Sequence, residues 1–443
     1  MKIYNTLSHQ VEEFKPQNPP LVTMYTCGPT VYNFMHIGNL RTFVFSDILF
    51  RALQYNGFKV EAVQNITDID DKIIKKASEE GKEIGEITSE YTKYFLEDIG
   101  KLNINPENLK EQPRATDYIG KMIAYVQVLV EKGFAYKEKD GSVYFDISKF
   151  PNYGKLSGVE KRELKSGTRV LSDEYTKDDV QDFALWKAVK PQEFGYDSPW
   201  GKGRPGWHIE CSVMSQSILG NKIDIHTGGI DLVFPHHENE IAQSEAKTGE
   251  SPFVKYWVHG AHMLVDGKKM SKSLHNFYTL SEIIEKGFDS LALRYLFLQT
   301  HYRQEMNFTF EALDGAQNTL NRLRREVSAY DRASDVIQEY NDQFMAAAND
   351  DLNMPKALSV LWEVIRSDKS NSEKAATIFK FDEVLGLSLK DSKAIVQKEE
   401  EVPSEVQKML DEREALRKEK KYVESDKIRE KIIEMGYKVE DKS

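Results

Sequence analysis

The chain has 443 residues, 40% hydrophobic and 30% charged, too many for one ordinary core and enough for two to four domains. No apolar run approaches membrane-spanning length, and Met1-Lys2-Ile3-Tyr4 opens without a signal-like apolar region, which predicts a soluble cytoplasmic protein. Two cysteines give no disulfide framework, and a net charge of −11 argues against a uniformly basic nucleic-acid surface while allowing local basic clusters.

In chain order, Leu21 to Thr26 reads as a strand that ends at Gly28-Pro29. Phe43, Val44, Ile48, Leu49 and Leu53 then recur with helical spacing until Asn56-Gly57. Val60 to Gln64 is a second strand, so strand, loop, helix and strand open a parallel nucleotide-binding sheet. Between about residues 115 and 200, Gly141-Ser142-Val143-Tyr144-Phe145 and the loop Gly195 to Trp200 predict a mixed insertion. Ile223 to His226 and Val254 to Val258 resume the sheet, and from about residue 310 the chain turns helical. The fold class is therefore α/β: a Rossmann-type parallel-sheet domain in two halves (1–114 and 201–309) around a mixed α/β insertion (115–200). An all-α helical domain (310–390), a polar Pro-containing linker (391–404) and a small charged helical tail (405–443) follow.

Both cysteines lie in motifs: Cys27 in Thr26-Cys27-Gly28-Pro29-Thr30, and Cys211 in Gly206-Trp207-His208-Ile209-Glu210-Cys211. In His236-His237-Glu238-Asn239-Glu240, a helix would place His236 and Glu240 on one face. Two thiolates, an imidazole and a carboxylate make a zinc set, with His237 and Glu238 as alternatives. His36-Ile37-Gly38-Asn39 opens a helix whose N-terminus favours phosphate. Lys269-Met270-Ser271-Lys272-Ser273 follows Asp266-Gly267 in a polar loop whose cations can stabilise charge on phosphoryl oxygens.

Together these motifs resemble the cysteinyl-tRNA synthetase family of the class I aminoacyl-tRNA synthetases, from Ile3-Tyr4-Asn5-Thr6 nearly to the C-terminus. The resemblance implies a two-step ATP-dependent ligation of L-cysteine to the 3′ end of tRNA(Cys), in a monomer. It selects Cys27, Cys211, His236 and Glu240 as ligands to one zinc ion per chain that reads the substrate thiolate, with Mg2+ accompanying ATP. It assigns His36, Asn39, Lys269 and Lys272 to catalysis, and His36, Gly38, Asn39 and Lys272 to ATP. Gly28, Thr67, Trp207, His226 and Asp231 are implied for the amino acid. An amino-sugar ligase would share the catalytic half, but a basic tail suits tRNA better. Two positions depart from the family pattern, which usually has Gly at Thr227 and at His275. By the same resemblance, the helical region, where Arg322, Arg324 and Arg325 lie, meets the inside of the tRNA. The tail, loaded with Arg413, Arg417, Lys418, Lys420, Lys421, Lys427 and Arg429, reads the anticodon loop.

Overall fold

A computed structural model describes residues 1–159, 164–170, 180–270, 276–330, 335–400, 404–418 and 421–435. β1 (Lys2–Asn5) and β2 (Gln10–Glu13) form an antiparallel ribbon ahead of β3 (Leu21–Thr26). Helix α1 (Ile37–Tyr55) and strand β4 (Lys59–Gln64) follow where the sequence predicts them. Helix α1 is apolar on nearly every side because it is buried nearly all round, and it stops at Asn56 and at Gly57, whose φ of 83° suits glycine. Then come α2 (Asp71–Glu80), α3 (Ile84–Lys101) and α4 (Ile119–Glu131).

The insertion contributes β5 (Ala135–Lys137), β6 (Val143–Phe145), β7 (Leu164–Val170), β8 (Val180–Ala188) and β9 (Gly203–Pro205). It runs past the expected boundary at residue 200. The loop at Tyr196 is a turn rather than an exit: Tyr196 and Gly203 exchange backbone hydrogen bonds, and β9 returns antiparallel to β8 with Trp186 opposite Pro205. After α5 (Trp207–Leu219), β10 (Ile223–Gly229), α6 (Glu238–Thr248) and β11 (Val254–Gly260) complete the central sheet. Its order is β11-β10-β3-β4, and every pairing is parallel.

Strands β12 (Met263–Val265) and β13 (Lys268–Lys269) form a hairpin through Asp266 and Gly267, both at positive φ. Helices α7 (Leu280–Glu285) and α8 (Ser290–Leu298) lead to β14 (Met306–Phe308), which pairs parallel with β12. The remainder is helical: α9 (Phe310–Ser328), α10 (Gln338–Ala348), α11 (Met354–Arg366), α12 (Asn371–Leu385), α13 (Ser392–Glu400), α14 (Ser404–Lys418) and α15 (Tyr422–Glu434).

Helix α13 corrects the expected linker at 391–404. It holds no Gly or Pro, Lys393, Ala394, Gln397, Lys398, Glu399 and Glu400 favour helix, it packs against α9, and its first residue, Ser392, is buried. Two arginines assigned to RNA are also corrected. Arg324 is buried and bound to Asp289 at 2.5 Å, and Arg413 is buried in the tail, so neither side chain faces solvent. Arg322 is exposed and lies over the Trp362 ring at 5.3 Å, and Arg325, Lys421, Lys427 and Arg429 are exposed. The side chains of Arg417, Lys418 and Lys420 lie outside the described set.

No described helix is long and apolar enough to cross a membrane.

Candidate active site and metal centre

The strand order reverses direction between β3 and β10, and in open parallel sheets ligands bind outside the carboxyl ends at such a point. Cys27 and Gly28 leave β3 there, Gly229 and Asp231 leave β10, and α1 presents its N-terminus beside them. A continuous cleft of about 1310 Å³ of atom-free space joins Cys27, Cys211 and His236 to His36 and Asp231. A second cleft shares His36, Asn39 and Asp231 and runs past Gly38, His262 and Met270. Thr227 stands where the family pattern has glycine, yet its backbone is not at positive φ. Its hydroxyl meets Thr26 Oγ1 at 2.8 Å and Ser46 Oγ at 3.1 Å, tying β10 to β3 and α1.

The structure brings the four expected ligands together. Cys27 Sγ lies 3.8 Å from Cys211 Sγ and 3.8 Å from Glu240 Oε1, and His236 Nε2 lies 3.1 Å from that same oxygen. An edge of about 3.8 Å is what a tetrahedron with zinc–sulfur bonds of about 2.3 Å requires. His236 Nε2 makes no hydrogen bond despite its proximity to Glu240, and it is fully buried. An unbonded, buried nitrogen this close to a carboxylate oxygen marks a position that a shared cation would fill. The charges agree with it. The Cys27 hydrogen bond is the largest influence holding Cys211 down to about 6, against burial. Burial alone would lower His236, but Cys211 and Glu240 carry it up to about 10. Burial would raise Glu240, yet His226 and His236 hold it at about 2. Burial, with Cys211 and Glu240 nearby, pushes Cys27 far up. Protons on Cys27 and His236 thus occupy the place of a divalent cation, and metal binding would release them. The donor set fits zinc.

His237, the alternative ligand, lies within reach of the same atoms: among the described residues the donor group whose ligand atoms all lie within 4.8 Å of one another is Cys27, His236, His237 and Glu240, without Cys211. Its partners favour a supporting role. Thr6 Oγ1 lies 2.7 Å from His259 Nδ1, His259 Nε2 lies 2.7 Å from His237 Nδ1, and His237 Nε2 lies 3.3 Å from Cys27 Sγ. Burial lowers both imidazoles, His259 to about 3 and His237 well below its ordinary value, so both are neutral. With neutral rings the chain can run in either direction, from Thr6 toward the Cys27 sulfur or from a Cys27 thiol toward Thr6; a metal-bound Cys27 thiolate could only accept, with His237 donating to it. Glu238 is no ligand, because it accepts backbone N–H bonds from Gly154, Leu156 and Ser157.

On the nucleotide side, His36 caps α1, its Nδ1 accepting the Asn39 N–H at 3.1 Å. Burial lowers its pKa although Asp231 raises it, so the ring is neutral and its proton sits on Nε2, facing away from the helix. No acidic residue occupies the first turn of α1. A Cβ on Gly38 would stand 2.4 Å from Met270 Cε, so a side chain there would intrude between the two signature segments. Asn39 is exposed at the helix start, and Lys269 lines the second cleft. Lys272 and His275 lie outside the described residues.

Of the residues expected at the amino acid, Gly28, Thr67, Trp207 and Asp231 line the cleft. A Cβ on Gly28 would overlap Asn65 O at 1.5 Å, so two loops meet there at backbone distance. Thr67 donates to Glu210 at 2.9 Å, and Trp207 packs on the His236 ring at 4.1 Å between centroids. His226 does not line the cleft. Its Nε2 donates to Glu240 Oε2 at 3.0 Å and its ring stacks on Trp257, which leaves Oε1 of Glu240 toward the donor cluster. Thr6, Asn65, Glu210 and His259 join the site as supporting residues that sequence reasoning misses, and His237, read from the sequence as an alternative ligand, joins them. The first four are single polar residues scattered over the chain, and no local spacing marks them.

Residues 13–318 match the family model described as tRNA synthetases class I (C) catalytic domain, and residues 343–390 match the DALR domain. The chain is 44% identical to the Cysteine--tRNA ligase of Chlamydia muridarum (strain MoPn / Nigg), covering 99% of this chain and 97% of that protein. The Cysteine--tRNA ligase of Chlamydia felis (strain Fe/C-56) is also 44% identical, over 99% of this chain and 95% of its own. Among solved structures, Mycobacterium tuberculosis methionyl-tRNA synthetase bound by methionyl-adenylate shares the fold with a TM-score of 0.58 at 15% identity, covering 85% of this chain and 92% of its own.

Proposed function

This chain belongs to the cysteine--tRNA ligase family of class I aminoacyl-tRNA synthetases, and from that membership we propose a residue-level account of how it aminoacylates tRNA with cysteine. The observation that carries the account is the single cleft joining the Cys27, Cys211, His236 and Glu240 cluster to the N-terminus of α1. In the first step a carboxylate oxygen of cysteine attacks the α-phosphorus of ATP. The bond to the β-phosphate bridge breaks, and pyrophosphate leaves with the electron pair. In the second, the terminal ribose hydroxyl of tRNA(Cys) attacks the acyl carbon, loses its proton, and AMP departs. No protein nucleophile is needed, so the residues act by position and charge.

His36 donates from Nε2 to a phosphate oxygen, helped by the α1 N-terminus, and Asn39 faces the same nucleotide. Lys269 and Lys272 neutralise the triphosphate alongside its Mg2+. Asp231, at the end of β10 beside both clefts, pairs with the substrate ammonium. Gly28 and Thr67 form the near wall, and Trp207 covers the amino acid. Cys27, Cys211, His236 and Glu240 would hold zinc, with His226 and His237 orienting two of them. Bound zinc would supply a borderline-soft site that deprotonates and accepts a thiol but suits serine's hydroxyl poorly. Apolar contacts alone separate such isosteres by only about 1–3 kcal/mol.

The deciding experiment pairs metal analysis with pyrophosphate exchange. The purified protein is expected to carry about one zinc per chain, to exchange with cysteine, and to show little exchange with serine or no amino acid. Cys211→Ser should lose most of the metal. Full zinc retention in that variant removes the ligand assignment, and equal exchange with serine removes thiol recognition.

A further inference from the structure

Cysteine belongs at the Cys27 and Cys211 end, and the nucleotide belongs in the neighbouring cleft beside Gly38 and Met270. The first cleft is lined as well by Tyr32, Phe34 and Lys72. Phe34 is among the few large apolar side chains exposed anywhere in the described residues, at 36%. Its ring is held from behind: Tyr94 lies 4.7 Å away at a tilt of 44°, and Tyr91 meets it edge-on at 5.4 Å. Cations accompany the aromatics. Lys72 Nζ stands 6.0 Å from the Tyr32 ring centre and Lys76 Nζ stands 4.6 Å from that of Tyr91.

A buttressed, outward-facing aromatic beside lysines, at the mouth of a reaction cleft, suits one reactant of the proposed reaction. Unpaired nucleotides offer a π face for stacking and a phosphate for each cation. Cysteine and ATP are assigned above to the other residues of the two clefts, which leaves this group unassigned. We propose that Phe34, with Tyr32 and Lys72, forms the platform on which the unpaired 3′-terminal nucleotides of tRNA stack as the terminal ribose hydroxyl enters the cleft. The proposal rests on the aminoacylation reading above and names the residues that receive its third substrate.

The test separates the two reactions of the full-length enzyme. Phe34→Ala should leave cysteine-dependent pyrophosphate exchange within about twofold of wild type, while kcat/KM for charging tRNA(Cys) falls by about tenfold to a hundredfold. Phe34→Tyr, which keeps a stacking face, should restore most of the loss. Binding of a tRNA lacking its last two nucleotides should be equal in wild type and Phe34→Ala, because the stacked bases are absent. Unchanged charging by Phe34→Ala overturns the platform. So does a parallel fall in exchange and charging, which would mean that Phe34 merely supports the cleft. Wild-type protein that exchanges pyrophosphate yet charges no tRNA would remove the underlying reading, and the platform with it.

Discussion

Burial on α3 pushes the Asp98 carboxyl up to about 6, with Lys101 opposing and Glu97 adding. The unfolded chain, with a carboxyl pKa of about 3.9, loses this proton first as pH rises. Folding stability therefore falls between about pH 4 and pH 6 and carries a constant penalty above that window. Asp98→Asn removes the penalty. It should raise stability by about 1–2 kcal/mol at pH 7, after allowance for screening by water, and change little at pH 4. Denaturation midpoints at the two pH values check this, and an equal effect at both would assign the gain to packing. Asp98 takes no part in the cleft, so the mutation should not alter exchange. Within the site, individual residues are legible only where they sit in strings. The His36 signature and both cysteines stand out because neighbouring residues frame them. The path from Thr6 through His259 and His237 to Cys27 is hidden, since its first link joins residues 253 apart in sequence. Similarly, the resemblance implies a substrate contact for His226, whereas in the structure its Nε2 is hydrogen-bonded to Glu240.

Elements are more legible than their boundaries. Strand β3 and the stop of α1 at Asn56-Gly57 follow from local chemistry, whereas α13 reads as linker when its charge is weighed above its helix propensity. Contacts between elements are not readable at all, and Arg294 is the clearest case. This guanidinium on α8 is fully buried. It donates to Leu385 O at 2.7 Å, Leu102 O at 2.8 Å and Asp47 Oδ2 at 2.5 Å, joining α8 to the ends of α12 and α3 and to the middle of α1. Gly386, with φ of 67°, leaves room for it, since a Cβ there would stand 2.5 Å from Nη2. Arg294→Met would fill most of the volume but leave two carbonyls unpaired and weaken the partnering of Asp47, which would keep only Arg51 at 2.7 Å. Breaking such a buried pair costs about 3–5 kcal/mol. Because α1 carries His36 at its start, loosening this junction should also lower exchange activity near the unfolding temperature. A double variant that adds Asp47→Asn separates the terms. It should recover part of the loss, and no recovery would place the cost in the carbonyls alone.

At the scale of the molecule, the adenylate chemistry and the tail occupy different parts of the chain. Every residue proposed for zinc, nucleotide and amino acid lies before the matched DALR region at 343–390. Helices α14 and α15 pair with each other, and each carries a fully buried residue, Val406 and Ile432. Neither helix contributes to the central sheet, so removing the pair is expected to leave that sheet closed. Lys427 and Arg429 remain exposed on α15, where attraction to phosphates would be screened by salt. Deleting the chain after Val402 should therefore leave cysteine-dependent pyrophosphate exchange nearly intact. Charging of tRNA(Cys) should weaken, mainly through the Michaelis constant for tRNA, and the fall of binding with rising salt should become shallower, by about one unit of slope for each phosphate that the tail no longer holds. The Phe34 platform predicts a different signature, since the truncated protein still presents it. Truncated tRNA(Cys) lacking its 3′-terminal nucleotides should lose little further affinity on tail deletion beyond what intact tRNA loses, because the tail and the platform would hold opposite ends of the same ligand. Equal charging by the truncated and full-length proteins would remove the tail from recognition and leave the helical region, with exposed Arg322 and Arg325, as the remaining basic surface on which the tRNA body could rest.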